Sequence, residues 1–200
     1  MALKFQYNKI ALQSLNKQLD IRLRSSPTLK SKEATLRFEV AKAKQRAQEL
    51  QDKLELKLGI YSENAAIWSE FVPELIRIGE IETTVTTIAG IKTPLLNEIT
   101  FQEADFSLFS QPGWFPEGIV IVKELVSIAI ERNFYQRKME LLNLARRKTT
   151  QKVNLYEKVQ IPAFEDAILK IKRFLEDEEN LSKSAQKIIK KRRQKRKILA

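Results

Sequence analysis

Apolar residues recur along the first sixty positions at alternating steps of four and three. Starting from Asn8, the series runs Leu12, Leu15, Leu19, Arg22, Ser26, Leu29, Glu33, Leu36, Val40, Ala43, Ala47, Leu50 and Leu54, one heptad register held for more than six repeats. Ten of these thirteen positions are apolar, and the three polar ones, Arg22, Ser26 and Glu33, flank Pro27. A proline inside a helix removes a backbone donor and crowds the preceding turn. Because the phase is the same on both sides, the pattern predicts a helix kinked or loosened at Pro27 that keeps one partner before and after it. Over residues 8–58, a rise of about 1.5 Å per residue makes this helix roughly 75 Å long, too long for a compact globule of this size.

The pattern changes in the middle of the chain. All five glycines, both tryptophans and four of the six prolines fall between residues 59 and 118. Within that stretch IETTVTTIAGIKTPLLNEITF is rich in Ile, Val and Thr and is interrupted by Gly90 and Pro94, which predicts a short β-hairpin near residues 81–101. Trp68, Phe71, Phe101, Phe106, Phe109, Trp114 and Phe115 are candidates for a small aromatic core beside it.

From Ile119 the helical pattern resumes. Leu141, Leu142 and Leu144 lead into Val153, Tyr156, Val159, Ile161, Phe164, Ile168, Ile171 and Leu175, with the apolar phase adjusting around Pro162. The chain therefore reads as a mainly α protein in three regions: an N-terminal coiled-coil helix (1–58), a central module (59–118) and a C-terminal coiled-coil helix with a basic tail (119–200). An apolar seam must be covered in water. Two long helices joined by a turn-rich module cover it most simply as an antiparallel hairpin, with a parallel intermolecular dimer as the competing arrangement. The expected seam is Leu12, Leu15, Leu19, Leu29, Leu36, Val40, Ala43, Ala47, Leu50 and Leu54 against Ile161, Phe164, Ile168, Ile171 and Leu175.

Charge adds a second layer. The chain carries 36 Lys and Arg against 25 Asp and Glu, a net of +11. Residues 1–32 hold seven bases against Asp20, +6, and residues 183–200 hold nine bases and no acid, +9, which leaves −4 for the stretch between. A folded-back hairpin would bring both ends to one cationic tip, with Lys4, Lys9, Lys190, Lys191, Arg192, Arg193, Lys195, Arg196 and Lys197 as its bases. The run at 190–197 could meet nucleic acid through phosphate contacts, but no aromatic residue interleaves it for base stacking, and the nearest is Phe174. Its competing readings are a solvated helix end and a protein-facing tip.

Cysteine and histidine are both absent, which excludes disulfides, thiolate nucleophiles, imidazole bases and zinc sites of the usual type. No paired carboxylates, glycine-rich phosphate loop or metal-ligand spacing occurs in the sequence, so neither a catalytic residue nor a cofactor is expected. The start MALKFQYNK lacks an apolar signal core and no apolar run of about twenty residues occurs, so a soluble cytoplasmic protein is expected, meeting membranes only through partners.

Three stretches carry a resemblance: NKIALQSLNKQLDIRLRSSPTLKSKEATLRFEV, AGIKTP, and RRKTTQKVNLYEKVQIPAFEDAILKIKRFLEDEE with the basic tail behind it. In that order they resemble the D subunit of the V/A-type rotary ATPases over nearly the whole chain. The last stretch is the most specific, with its double arginine, Asn-Leu step, Ile-Pro pair and acidic helix. The chain departs from the family at Ser25-Ser26-Pro27, where many members have small residues such as Gly-His. The resemblance implies a non-catalytic central rotor shaft whose termini enter the ring of catalytic A and B subunits. It also implies a small F subunit on the side of the shaft, a funnel-shaped C or d subunit above the membrane ring, and no nucleotide site of its own. The segment Thr87–Leu96, with Ile88, Gly90, Ile91, Pro94 and Leu95, matches the family's hairpin, which is associated with stimulating ATP hydrolysis. A helical-hairpin nucleic-acid-binding or ribosome-associated protein and a coiled-coil scaffold are the alternatives.

Overall fold

The computed structural model describes residues 4–62, 65–105 and 112–198, the side chains of residues 65–66 and 195–198 excepted. It is mainly helical. Helix α1 (Lys9–Ser62) is followed by a single turn, α2 (Ala65–Trp68), and by the antiparallel strands β1 (Ile76–Ile88) and β2 (Ile91–Glu103). Helix α3 (Phe115–Leu155) then passes through a π-helical turn (Tyr156–Gln160) into α4 (Ile161–Ile198). Two compact units result, one of residues 1–31 and 149–200, the other of residues 32–148.

In the first unit, Asn8 caps the start of α1: its side-chain oxygen accepts the Ala11 N–H at 2.7 Å and so satisfies one of the helix's free donors. α1 and α4 run antiparallel, since Arg22 reaches Gln160 and Ser26 reaches Glu157. The seam between them packs Leu15, Phe164, Ala167, Ile168 and Ile171 at its centre, with Phe5, Ala11, Leu12, Leu19 and Leu175 around them. Ahead of the helix, Tyr7 lies 5.0 Å from Phe174, ring centre to ring centre. Helix α1 continues through Pro27 without interruption.

The second unit is also antiparallel: Arg46 pairs with Glu131 at 3.2 Å and Lys57 with Glu124 at 2.6 Å, while Arg132 donates to Gln51 at 2.5 Å. Leu36, Ala43, Leu50, Ile128 and Leu142 are buried in it. The hairpin is longer than the 81–101 expected from the sequence. Its strands run 13 residues each, from Ile76 to Glu103. The pairing shifts between Ile78 and Ile81, where Gly79 and Glu80 stand opposite Thr100, and again between Glu82 and Thr83. These irregularities carry the strands past Gly79 and Glu80, residues that read as strand breakers. A Cβ on Gly79 would sit 2.9 Å from the Thr100 hydroxyl, which itself accepts the Glu80 N–H at 2.8 Å and donates to the Glu80 carbonyl at 2.9 Å.

The hairpin turns at Ala89 and Gly90, with φ of 49° and 78°. Positive φ at both central residues matches the right-handed twist of the strands, and the first of the two is strained for any residue with a Cβ. Ala89→Gly is therefore expected to stabilise the chain by about 0.5–1 kcal/mol, read as a higher urea midpoint at unchanged slope.

The aromatic core forms around the end of α1 and the start of α3. Trp68 meets Trp114 at 5.3 Å and Phe71 at 5.8 Å, and Phe115, fully buried, meets Trp114 at 5.0 Å and Phe71 at 5.6 Å. Tyr61, not expected there, joins Trp68 at 5.9 Å. Phe101 lies on β2 opposite Ile78. Phe106 and Phe109 fall outside the described residues.

Candidate functional site

The sequence points to three groups of functional residues: seam, tip and hairpin. Along α1 all thirteen heptad positions from Leu12 to Leu54 are buried or half-buried, Arg22, Ser26 and Glu33 included. On the other side Phe164, Ile168 and Ile171 are buried, and Ile161 and Leu175 half-buried. Leu144 and Val159, part of the apolar run read from the sequence, are exposed.

The polar seam positions are bonded. Arg22 donates from Nε to the Gln160 side-chain oxygen at 2.6 Å and from Nη1 to the Gln18 carbonyl at 3.0 Å. Its guanidinium lies 4.5 Å from the Phe164 ring centre and 5.9 Å from that of Tyr156. Ser26 donates its hydroxyl to Glu157 at 2.8 Å, and Lys30 reaches the same carboxylate oxygen at 2.6 Å. Glu33 pairs with Arg37 at 2.8 Å. Lys30 first, and the Ser26 hydroxyl second, hold the Glu157 carboxyl below its ordinary value near 4.5.

Glu124 is lowered by Lys57, and Glu179 by Lys183 with a smaller contribution from Lys9. A carboxyl whose folded pKa is depressed stabilises the fold fully above its unfolded value and loses that contribution as pH falls through the folded one. Stability should thus decline as pH drops below about 4.5. Glu157→Gln is expected to make that decline shallower, as measured by thermal unfolding between about pH 6 and about pH 3.

At the tip, α4 runs well beyond the start of α1. Every residue from 176 to 194 is exposed, among them Lys190, Lys191, Arg192 and Arg193 and the apolar Leu181, Ile188 and Ile189. Lys9 stands beside Glu179, a distance of about 16 Å along α4 from Lys190 at 1.5 Å per residue. The two bases at the N-terminal end, Lys4 and Lys9, are exposed. The side chains of Lys195, Arg196 and Lys197 lie outside the described residues. An uncovered helix of this length is marginal in water by itself. The Lys183–Glu179 pair at 2.7 Å, itself exposed, braces it only weakly, so a covering partner would stabilise it.

In the hairpin, Ile88 and Ile91 flank the turn as a cross-strand pair, and Pro94 pairs with Val85. Thr93 is buried, its hydroxyl donating to the Thr86 carbonyl at 3.2 Å. A Cβ on Gly90 would lie 3.5 Å from the Lys32 ammonium, so the turn reaches α1. β2 lies along α3, with Pro94, Leu95, Leu96 and Ile99 facing Ser127, Phe134 and Tyr135 across a shallow groove, and Lys123 holding Glu103 at its end. An open apolar groove of Leu58, Tyr61, Trp68, Val122 and Leu125 lies beside the aromatic core.

The sequence profile of the ATP synthase D-subunit family matches residues 11–191, which covers α1, the hairpin, α3 and most of α4. This chain belongs to that family. Among its relatives, the V-type ATP synthase D subunit of Chlamydia muridarum is 31% identical over 178 residues, 86% of this chain and 87% of the relative. That of Borreliella burgdorferi is 28% identical over 193 residues, 94% of each chain. That of Chlamydia pneumoniae is 31% identical over 169 residues, 82% of this chain and 81% of the relative. No helix among the described residues of this family member is long and apolar enough to cross a membrane.

Proposed function

We propose that this chain is the non-catalytic central shaft of a V/A-type ATPase, passing torque between ATP turnover in a ring of A and B subunits and ion translocation in a membrane rotor. The observation that carries the reading is the family match over residues 11–191, from the first turns of α1 to the basic end of α4. The uncovered helix from 176 to 194 supports it. After the acidic run at 176–179 it carries bases and no acid from Lys183 onward, with a few apolar residues and no covering segment among the described residues. Long basic side chains facing acidic groups through water attract softly and are screened by salt, which suits a tip that turns inside a ring.

In this reading Lys4, Lys9 and the bases from Lys190 to Lys197 face the A and B subunits. A small F subunit binds the side of the shaft and a funnel-shaped C or d subunit binds nearer the membrane, the apolar groove at Trp68 and Val122 being suited to a protein partner. The hairpin turn at Ile88, Gly90, Ile91, Pro94 and Leu95 stimulates ATP hydrolysis. The complex sits on the cytoplasmic face of its membrane, and the chain holds no nucleotide or cofactor. Mixing the purified chain with A, B and F subunits and following co-elution and ATPase rate tests this. Co-elution with a raised rate is expected, and no association with any of them would sink the proposal.

A further inference from the structure

The π-helical turn is a one-residue insertion in the C-terminal helix, and three of its five residues bind α1. Tyr156 lies under Arg22, Glu157 takes the Ser26 hydroxyl and the Lys30 ammonium, and Gln160 takes the Arg22 Nε–H. Its ends are ordinary helix: Leu155 and Ile161 have right-handed helical angles, and the Ile161 N–H closes the wide turn on the Tyr156 carbonyl. Pro162 follows at once. It has no N–H and its ring would crowd the Lys158 carbonyl in a regular α-helix, so a widened turn is favoured nearby. Proline explains why an insertion exists here, but not why it stays within these five residues.

An inserted residue can move along a helix by exchanging one wide turn for the next. Each residue between its old and new position then rotates by about 100° around the helix axis. In a shaft such movement would be slack. We infer that Arg22, Ser26 and Lys30 on α1 act as a register lock, fixing the π-turn at Tyr156–Gln160 and with it the phase of α4 against the seam.

The heptad pattern alone does not fix this phase, because a slip of seven residues returns Leu, Val or Ala to most seam positions. It fails only here. Sliding α1 one heptad in one direction sets Leu19 and Leu23 against Glu157 and Leu15 against Gln160, so that both polar groups lose their partners. Sliding it the other way puts Arg37 in the place of Lys30, but sets Glu33 beside Glu157 and Leu29 against Gln160. Polar seam groups that bond in one register penalise every other, the best-attested use of such residues. The arrangement explains why Arg22 and Ser26 occupy positions where the repeat calls for apolar residues.

The lock concerns the chain alone and does not rest on what the shaft drives. Because the sequence has no cysteine, spin labels can be placed on Gln13→Cys and Lys172→Cys, both exposed and both in the first unit. The full-length chain should give one narrow label-to-label distance. In Arg22→Leu/Ser26→Ala, which keeps the seam apolar, thermal stability should hold while the distance splits into two or more populations. Glu157→Gln, of nearly equal size, should show the same splitting with a smaller second population. A single unchanged distance in both variants overturns the lock. Since no ATPase activity is read, that result would leave the shaft proposal standing, and failed assembly with A and B would leave the lock standing.

Discussion

Phe164→Ala is expected to destabilise the chain by about 3–5 kcal/mol, the largest of the effects expected for a single substitution. Phe164 is 3% exposed and sits at the centre of the first unit's seam, among Leu15, Ala167, Ile168 and Ile171. Two costs add. The cavity left by a ring between two helices cannot be filled by either backbone, and the guanidinium of Arg22, 4.5 Å from the ring centre, loses its aromatic face while remaining half-buried. Urea unfolding followed by circular dichroism measures the loss. A cost below about 1 kcal/mol would mean that the seam is not the core of this unit.

Gly118→Ala is expected to destabilise the second unit by about 1–2 kcal/mol, and here the sign is the informative part. In an exposed helix interior this change gains nearly 1 kcal/mol, because glycine is a poor helix former. At Gly118 the new Cβ would lie 2.7 Å from Cζ3 and 3.1 Å from Cε3 of Trp114. The indole must move, and it is held by Trp68, Phe71 and Phe115. Overpacking therefore outweighs helix propensity. Both tryptophans of the chain belong to this cluster, so a shift in tryptophan fluorescence should accompany the lower urea midpoint. A raised midpoint with unchanged fluorescence would show that the glycine is not needed for the close approach.

The seven-residue period on α1 was legible, and all thirteen positions read there are at least half-buried, but the partner was not. Leu12, Leu15 and Leu19 pack with Phe164, Ile168, Ile171 and Leu175, whereas Leu36, Ala43 and Leu50 are buried in the second unit instead. The hairpin was legible from its β-branched residues and from Gly90. Its extension to Ile76 and Glu103 was not, because Arg77, Gly79 and Glu80 look like loop residues, yet Arg77 pairs with Gln102 and a bulge sets Gly79 and Glu80 opposite Thr100. The π-turn left only an indirect trace, an apolar phase that shifts near Pro162. Axial stagger left none. A repeat of seven cannot tell which turn of α1 faces which turn of α4, so Lys9 could equally have been set beside the basic run or, as found, beside Glu179. Polar seam positions such as Arg22 and Ser26 read as exceptions in the sequence, and their partners, Glu157 and Gln160, have no distinguishing local pattern.

The shaft account is tested most directly by locking the tip. With no native cysteine in the chain, a single Arg193→Cys on the exposed end of α4 can be cross-linked to a cysteine placed on the inner surface of an assembled A and B ring. If the chain turns inside that ring, ATP turnover stops when the disulfide forms and returns when it is reduced. Turnover that continues unchanged in the fully cross-linked complex would contradict the account.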